Sequence, residues 1–250
     1  MDPKLLDLLH TWVEKSGRAL ELRVARTLRT AGNASVQQSF TYLDEVTGMV
    51  RESDALARFR WTSLNDVPCD LTVAIECKSR SDKPWVAFYD RQIASASNLD
   101  KWVVYAHGPF VGITEPLDEL WLGEPPFSDV QVATHVVEAL SNDSRNRAND
   151  SVRQVLSCAA SVKTKFLKNL SPNRPALVLL AAVVTAAPLV TCTLDASEKV
   201  LMTQVDQIQV WGNNADGTRA RVFVLNESVL PAFASGLRDR AIAAGHATDS

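Results

Sequence analysis

The sequence has few residues of the kind that bind zinc, and those few are scattered. The four histidines show no ligand spacing, and no C-x-x-C pair occurs among the cysteines, Cys69, Cys77, Cys158 and Cys192. This pattern argues against a zinc site. Cys69 and Cys77 share strand parity with the apolar residues between them, so we interpret both as small buried side chains.

An excess of basic charge and a secretory segment are also lacking. The formal net charge is −3 over 250 residues, whereas nucleic-acid-binding proteins usually carry a basic excess. The N-terminus leads into an amphipathic helix and not into an uninterrupted apolar segment, so we expect a cytoplasmic protein. Acidic residues are missing from Ser151 to Leu194, a stretch that contains Arg153, Lys163, Lys165, Lys168 and Arg174. A local basic surface there would be able to contact phosphates.

The run from Pro175 to Leu194 is 20 residues long and carries no charge. By length alone it is a candidate for a membrane-spanning helix. Pro188 and the alanine pairs around it favour a central strand, a turn and a second buried strand instead. We therefore expect no membrane association and keep the membrane-anchored protein as an alternative.

Hydrophobic periodicity predicts an α/β protein with one domain over 1–250, in which 46% of residues are apolar. Gly17 separates an N-terminal helix from a second one, and the segment 79–150 is the least regular. Predicted helices cover residues 18–30, 129–140, 150–170 and 228–244. Predicted strands cover 36–44, 49–62, 69–78, 102–105, 176–185, 189–194 and 200–203, with a hairpin of 207–211 and 221–225.

Strands 49–62 and 69–78 are predicted to form a hairpin in which opposed residue numbers sum to 130. This register gathers the apolar residues of both strands on one face and places Arg60 opposite Asp70 on the other. A slip by one residue would mix the two faces, whereas a slip by two would keep them. In the first register Asp54 faces Glu76, close enough for both carboxylates to share one metal ion.

Strand 69–78 consists of an apolar stretch that ends in Glu76-Cys77-Lys78. Because strand side chains alternate, Glu76 and Lys78 emerge on the same side. A further acid, Glu21, has Val24, Ala25 and Leu28 at helical spacing, which places it on an inward-facing stripe. Glu21 is therefore either part of the same site or the partner of a neighbouring arginine, Arg18 or Arg29.

Together these pieces resemble the PD-(D/E)xK nuclease superfamily, in which a helix with an acid precedes a hairpin carrying an Asp and an E-x-K. The resemblance covers residues 17–80, and Ser53 stands where the motif has its proline. It implies a restriction-endonuclease-like core with a mixed central β-sheet flanked by helices. Residues 79–150 would then be a large insertion after the E-x-K strand of a single nuclease-like domain.

The resemblance also implies an activity, that of a magnesium-dependent nuclease hydrolysing phosphodiester bonds, with DNA as the expected nucleic acid. Asp54, Glu76 and the main-chain carbonyl of Cys77 would bind Mg²⁺, for which Mn²⁺ is expected to substitute. Glu21 would add to the site directly or through water, and Lys78 would orient the attacking water or stabilise charge on the phosphate. The alternative is a catalytically inactive nucleic-acid-binding or scaffold protein of the same fold.

Basic and aromatic residues outside the motif are weaker candidates for contacts to nucleic acid. Trp85, Phe88 and Tyr89 are interpreted as core residues in preference to stacking platforms. A homodimer is left open. The candidates for backbone contacts, each of which an ordinary surface position also explains, are Arg58, Arg80, Lys83, Lys163, Lys165 and Lys168.

Overall fold

A computed structural model describes residues 1–62, 68–89, 105–107, 132–141, 146–169, 176–213 and 219–246. Its helices are α1 (Pro3–Ser16), α2 (Arg18–Thr30), α3 (Arg147–Lys168) and α4 (Leu230–His246), the last preceded by a 3₁₀ turn at Glu227–Val229. The first six strands are β1 (Ser35–Asp44), β2 (Met49–Thr62), β3 (Pro68–Lys78), β4 (Trp85–Phe88), β5 (Tyr105–His107) and β6 (Val132–Ala133). The other six are β7 (His135–Glu138), β8 (Ala176–Thr185), β9 (Leu189–Leu194), β10 (Val200–Val205), β11 (Gln207–Asn213) and β12 (Arg219–Asn226).

The larger sheet is mixed and has the strand order β1-β2-β3-β8-β12-β11-β6, with β5 paired to β8. Strands β1, β2 and β3 form an antiparallel meander, and β3, β8 and β12 run parallel to one another. The run that begins at Ala176 supplies β8 in the middle of this sheet, where all ten of its residues are buried. A strand buried on both faces is expected to be apolar throughout, which explains the uncharged sequence.

A second sheet has the order β10-β9-β4-β7. After a bend at Ala186 and Ala187, the apolar run continues as β9 and enters this sheet next to β4. The uncharged run is therefore two strands, as predicted, although the second is only partly buried and lies in a different sheet. Among the described residues, no helix is long and apolar enough to cross a membrane.

The predicted register of β2 and β3 is confirmed. Every pair from Ala55–Ile75 to Thr62–Pro68 has residue numbers that sum to 130. The Arg60 guanidinium lies 3.1 Å from the Asp70 carboxylate across the two strands. The segregation of apolar from polar side chains was therefore sufficient to fix the pairing.

Helices cover both faces of the larger sheet. On one face, Leu20, Val24 and Leu28 of α2 pack with residues of α4 against Val73 and Ile75. On the other face, α3 packs its buried side against Leu56, Ala74 and the odd-numbered residues of β8, Leu179, Ala181 and Val183. The expectation of a mixed sheet flanked by helices is confirmed at this level of description.

Helix α1 lies outside these layers, because none of its residues is buried. Gly17 ends α1 and begins α2 with a positive φ of 88°. A Cβ atom built on Gly17 would lie 3.0 Å from the Ser79 side chain, next to the end of β3. Both the conformation and the close approach favour glycine at this junction.

One predicted helix is wrong. Residues 132–138 of the proposed 129–140 helix form two short strands, β6 and β7, and residues 129–131 lie outside the described residues. Val132, Val136 and Val137 are β-branched and pack better on a pleated surface than in a helix. Of the strand predicted at 102–105, Tyr105 alone is described, as the first residue of β5.

The segment predicted as an insertion, 79–150, supplies strands to both sheets in its described parts. Strands β4 and β7 form half of the second sheet, while β5 and β6 join the larger one. Trp85 is 2% exposed, as its interpretation as a core residue requires. Phe88 stacks on His135 with ring centroids 4.8 Å apart, and Tyr89 packs at the edge of the core beneath α3.

Candidate active site

The end of β3 differs from the rest of the strand because one of its two neighbours leaves it. Pairing with β8 continues to Lys78–Thr185, whereas pairing with β2 stops at Ala55–Ile75. Glu76, Cys77 and Lys78 therefore have a strand on one side and the side chains of β2 on the other. Polar groups collect at this gap.

The gap arises where the hairpin of β1 and β2 twists, so that side chains of the same parity move from one face of the sheet to the other. Before this point Val36 and Ala55 pack on the α2 side of the sheet, and after it Phe40 and Tyr42 pack on the α3 side. Ser39 has a positive φ of 51°, and its expected partner Asp54 is absent from the β1–β2 register. A left-handed residue within a strand is unusual and marks a local twist of the pair.

Where the backbone hydrogen bonds between β2 and β3 are missing, the side chains of Asp54 and Ser53 form hydrogen bonds to the backbone of β3 instead. The Cys77 amide donates to Oδ2 of Asp54 at 2.5 Å. Ser53, which is 0% exposed, donates its hydroxyl to the Ile75 carbonyl at 3.0 Å. The prediction that Asp54 pairs directly with Glu76 is wrong, because the β2–β3 ladder ends at Ala55–Ile75. Asp54 reaches the same end of β3 through its carboxylate instead.

Glu76 is the most deeply buried acid of the group, at 2% exposure. Its Oε1 lies 2.5 Å from Nζ of Lys78, the other charged residue of the E-x-K motif. Its Oε2 is buried and has no hydrogen-bond partner among the residues that the structure describes. A buried carboxylate oxygen without a partner is costly, so this atom is the clearest opening for a bound cation or water.

Glu21 approaches the same place from α2. Its carboxylate accepts from Arg18 at 2.8 Å, and Arg18 also lies 3.8 Å from Glu52. The two alternatives for Glu21 are therefore compatible, since it pairs with Arg18 and faces the other acids. Arg18 was named from the sequence as a possible partner of Glu21, three residues away on the helix, and not as a member of the site.

Two of these acids, Glu76 and Asp54, have raised pKa values. Burial, and next the charge of Asp54, raise the pKa of Glu76 to about 7, against the partly opposing charge of Lys78. Burial also raises the pKa of Asp54, with the Cys77 amide opposing the shift and the charge of Glu21 adding to it. Buried carboxylates that disfavour one another's ionised forms make a place where a cation is stabilising.

The donor set suits a hard divalent cation, because Mg²⁺ prefers carboxylate and carbonyl oxygens. The buried Oε2 of Glu76 supports this fit. Within the described ranges, however, no group of three or more Asp, Glu, His or Cys side chains is arranged to hold a metal ion. Lys78 and Arg18 neutralise Glu76 and Glu21 instead. The oxygen ligands are of the kind that Mg²⁺ prefers. Binding of the ion would require the Lys78 ammonium and the Arg18 guanidinium to move away from Glu76 and Glu21.

Comparison with protein-family models, curated proteins and solved structures returns no match. The function must therefore be inferred from the site itself.

The six basic candidates do not form one surface. Arg80 pairs with Asp82 at 2.6 Å, and Lys83 donates to the Leu140 carbonyl at 2.7 Å, both next to the second sheet. Lys163 and Lys168 lie on α3, half-buried and exposed respectively. Arg58 and Lys165, from different elements, line one cavity of the described structure.

Proposed function

We propose that the protein is a metal-dependent nuclease that hydrolyses phosphodiester bonds of nucleic acid, with DNA as its substrate. The observation that carries the proposal is the convergence of Asp54, Glu76 and Glu21 with Lys78 at one end of β3. The same grouping includes a buried carboxylate oxygen that has no partner in the described residues. Perturbed acids gathered at a strand end are typical of functional sites.

Mg²⁺, or Mn²⁺ in its place, would be held by Asp54, Glu76, the Cys77 carbonyl and Glu21, and when bound would supply an activated water and positive charge. The bond from the Cys77 amide engages Oδ2 of Asp54 and leaves Oδ1 available to a cation. Lys78 has the role of a mobile cation. When its ammonium leaves Glu76 it is free to donate to the attacking water or to a phosphate oxygen.

The decisive experiment combines metals with substitutions. Purified protein is incubated with plasmid and with single-stranded DNA in Mg²⁺, Mn²⁺ or EDTA. We expect cleavage in either metal and none in EDTA. Asp54→Asn and Lys78→Ala should each lower the rate by at least about a hundredfold, the size typical of losing one preorganised charged group.

A matched control is Glu45→Gln, which changes an exposed acid in the turn between β1 and β2 and should leave the rate unchanged. Circular dichroism would verify that all variants are folded. Absence of cleavage at every metal concentration, or cleavage that survives both site substitutions, would refute the proposal.

One observation favours a second function, that of a nucleic-acid-binding or scaffold protein without catalysis. Lys78 and Arg18 already neutralise two of the three acids, as they would in a site that no longer binds metal. In that case DNA should bind with equal affinity in Mg²⁺ and EDTA, and Lys78→Ala should not alter binding. A band-shift titration in the two buffers separates the two functions.

A further inference from the structure

A cavity lies under the C-terminal end of α3, on the same face of the sheet as Glu76. It has a volume of about 300 Å³. Its apolar surface comes from Phe40, Val162, Phe166 and Leu177. None of these residues belongs to the acidic site, and a volume of this size fits a small organic ligand.

Two cations border this apolar surface. Nζ of Lys165 lies 4.7 Å from the centre of the Phe40 ring and 3.4 Å from the Thr41 carbonyl, so the ammonium is held at the rim. Arg58 reaches the cavity from β2, where it pairs with Thr72. Arg58 is a partly buried residue, and its guanidinium makes no hydrogen bond or ion pair within the described part of the chain.

An acid, Asp70, also lines the cavity. Its carboxylate accepts from Arg60 at 3.1 Å, and its side chain is 18% exposed. Because Arg60 compensates this charge, Arg58 and Lys165 leave the cavity with an excess of positive charge. An arginine at the edge of a cavity that has no partner among the described residues is suited to bind an anion bidentately.

We infer that this cavity binds a nucleotide unit. The ring of the base would lie against the phenylalanines, where stacking of a base on an aromatic side chain is favourable. The phosphate would bind Arg58 and Lys165. Inorganic phosphate alone would leave the apolar wall unused, and an apolar ligand alone would leave the Arg58 guanidinium desolvated without a partner.

The nucleotide site extends the proposed nuclease function, and it rests on that function only for the source of the nucleotide. Thr72 and Glu76 lie on one face of β3 and four residues apart, which separates them by roughly 13 Å at 3.3 Å per residue. A strand of nucleic acid cut at the acidic site would offer one of its neighbouring nucleotides to the cavity. A free mononucleotide has the same chemistry and is the other source.

The test measures binding in EDTA, so that it does not depend on cleavage. Deoxyadenosine monophosphate, deoxyadenosine, inorganic phosphate and a short single-stranded oligodeoxyadenylate are titrated by calorimetry. We expect the nucleotide or the oligonucleotide to bind, and the nucleoside and phosphate to bind at least tenfold more weakly. Arg58→Gln and Lys165→Ala should each weaken binding roughly tenfold, the loss expected for a hydrogen bond to a charged group.

Lys199→Ala is the control, because it removes an exposed lysine between β9 and β10, in the second sheet, and should change the affinity less than twofold. Binding of the mononucleotide identifies a nucleotide site, and binding of the oligonucleotide alone identifies a strand of nucleic acid as its source. The inference is overturned if neither binds, if phosphate binds as tightly as the nucleotide, or if both pocket substitutions leave binding intact. These outcomes are independent of Asp54 and Lys78, so failure of the nuclease proposal would be seen separately.

Discussion

Ile75 and Glu76 are consecutive and almost equally buried, at 0% and 2% exposure, yet they face opposite sides of the sheet. Ile75 packs with α2 and α4 in a cluster made only of apolar side chains. Glu76 points to the α3 side, where Ser53 and Thr72 are also buried. At the end of β3 the α2 side of the sheet is thus apolar, while the α3 side accepts the cost of buried polar groups.

The difference shows where a functional hypothesis is worth testing. A buried apolar residue needs no explanation beyond packing, but a buried acid is retained only when something compensates its charge. On the α3 side, Lys78 compensates Glu76 in part and leaves one oxygen without a partner in the described structure. Substitutions of Ile75 and Glu76 should therefore have effects of opposite sign on stability.

The largest effect is expected on the apolar side. Ile75→Ala would leave a cavity among side chains that cannot fill it, because Val73 and Leu225 of the same cluster are fully buried. The free energy of unfolding should fall by about 3 kcal/mol, within the range for large-to-small core changes. Urea denaturation followed by circular dichroism measures this loss. A loss below about 1 kcal/mol would show that this side is not the tightly packed one.

An effect of opposite sign is expected for Glu76→Gln. The pKa of Glu76 is raised to about 7 in the folded protein from an ordinary value of 4.5. A raised carboxyl pKa means that the folded state is favoured below pH 4.5 and loses this contribution as the pH rises through about 7. The variant lacks the ionisation and should be more stable than the wild type at pH 8, by on the order of 2 kcal/mol.

The measurement is the difference in unfolding free energy between Glu76→Gln and the wild type, in EDTA, at pH 5 and pH 8. The difference should shrink toward pH 5, where the wild-type carboxyl is largely protonated. Ile75→Ala serves as the control, since its loss should be the same at both pH values. A pH-independent difference for Glu76→Gln would mean that burial does not govern this carboxyl.

The smallest effect is expected where the two sides meet, at Ser53. Its hydroxyl is on the α3 side and donates to the carbonyl of Ile75. Ser53→Ala leaves that buried carbonyl with one bond fewer and should cost about 1 kcal/mol. Ser81→Ala, an exposed serine, provides the comparison by thermal unfolding. Equal melting temperatures for the two variants would show that the Ser53 hydroxyl does not stabilise the fold.

Much of the larger sheet was predictable because its patterns are local and unambiguous. The pairing of β2 with β3 followed from the alternation of apolar and polar residues, and the parity of Glu76 and Lys78 followed from the same alternation. The two strands within the run after Pro175 were predicted from its valine and leucine content and from Pro188. These features need no knowledge of distant contacts.

Other features depend on contacts that no local pattern reports. The positive φ of Ser39 has no signal in the sequence, since serine rarely adopts it, and the turning over of the hairpin therefore could not be predicted. The same twist gives Ser53 and Asp54 their side-chain bonds to β3. The second sheet was missed because its strands come from three separate parts of the chain, and residues 132–138 were predicted as helix.

The bond from the Cys77 amide to Asp54 also has a consequence for how β3 opens. An amide bonded to a neighbouring strand exchanges its hydrogen with solvent only when the ladder separates. At Cys77 the acceptor is a side chain, so a single rotation about the Asp54 side chain releases this amide while β3 stays paired with β8. The sheet can thus loosen at the end of β3 without any cooperative unfolding of its core.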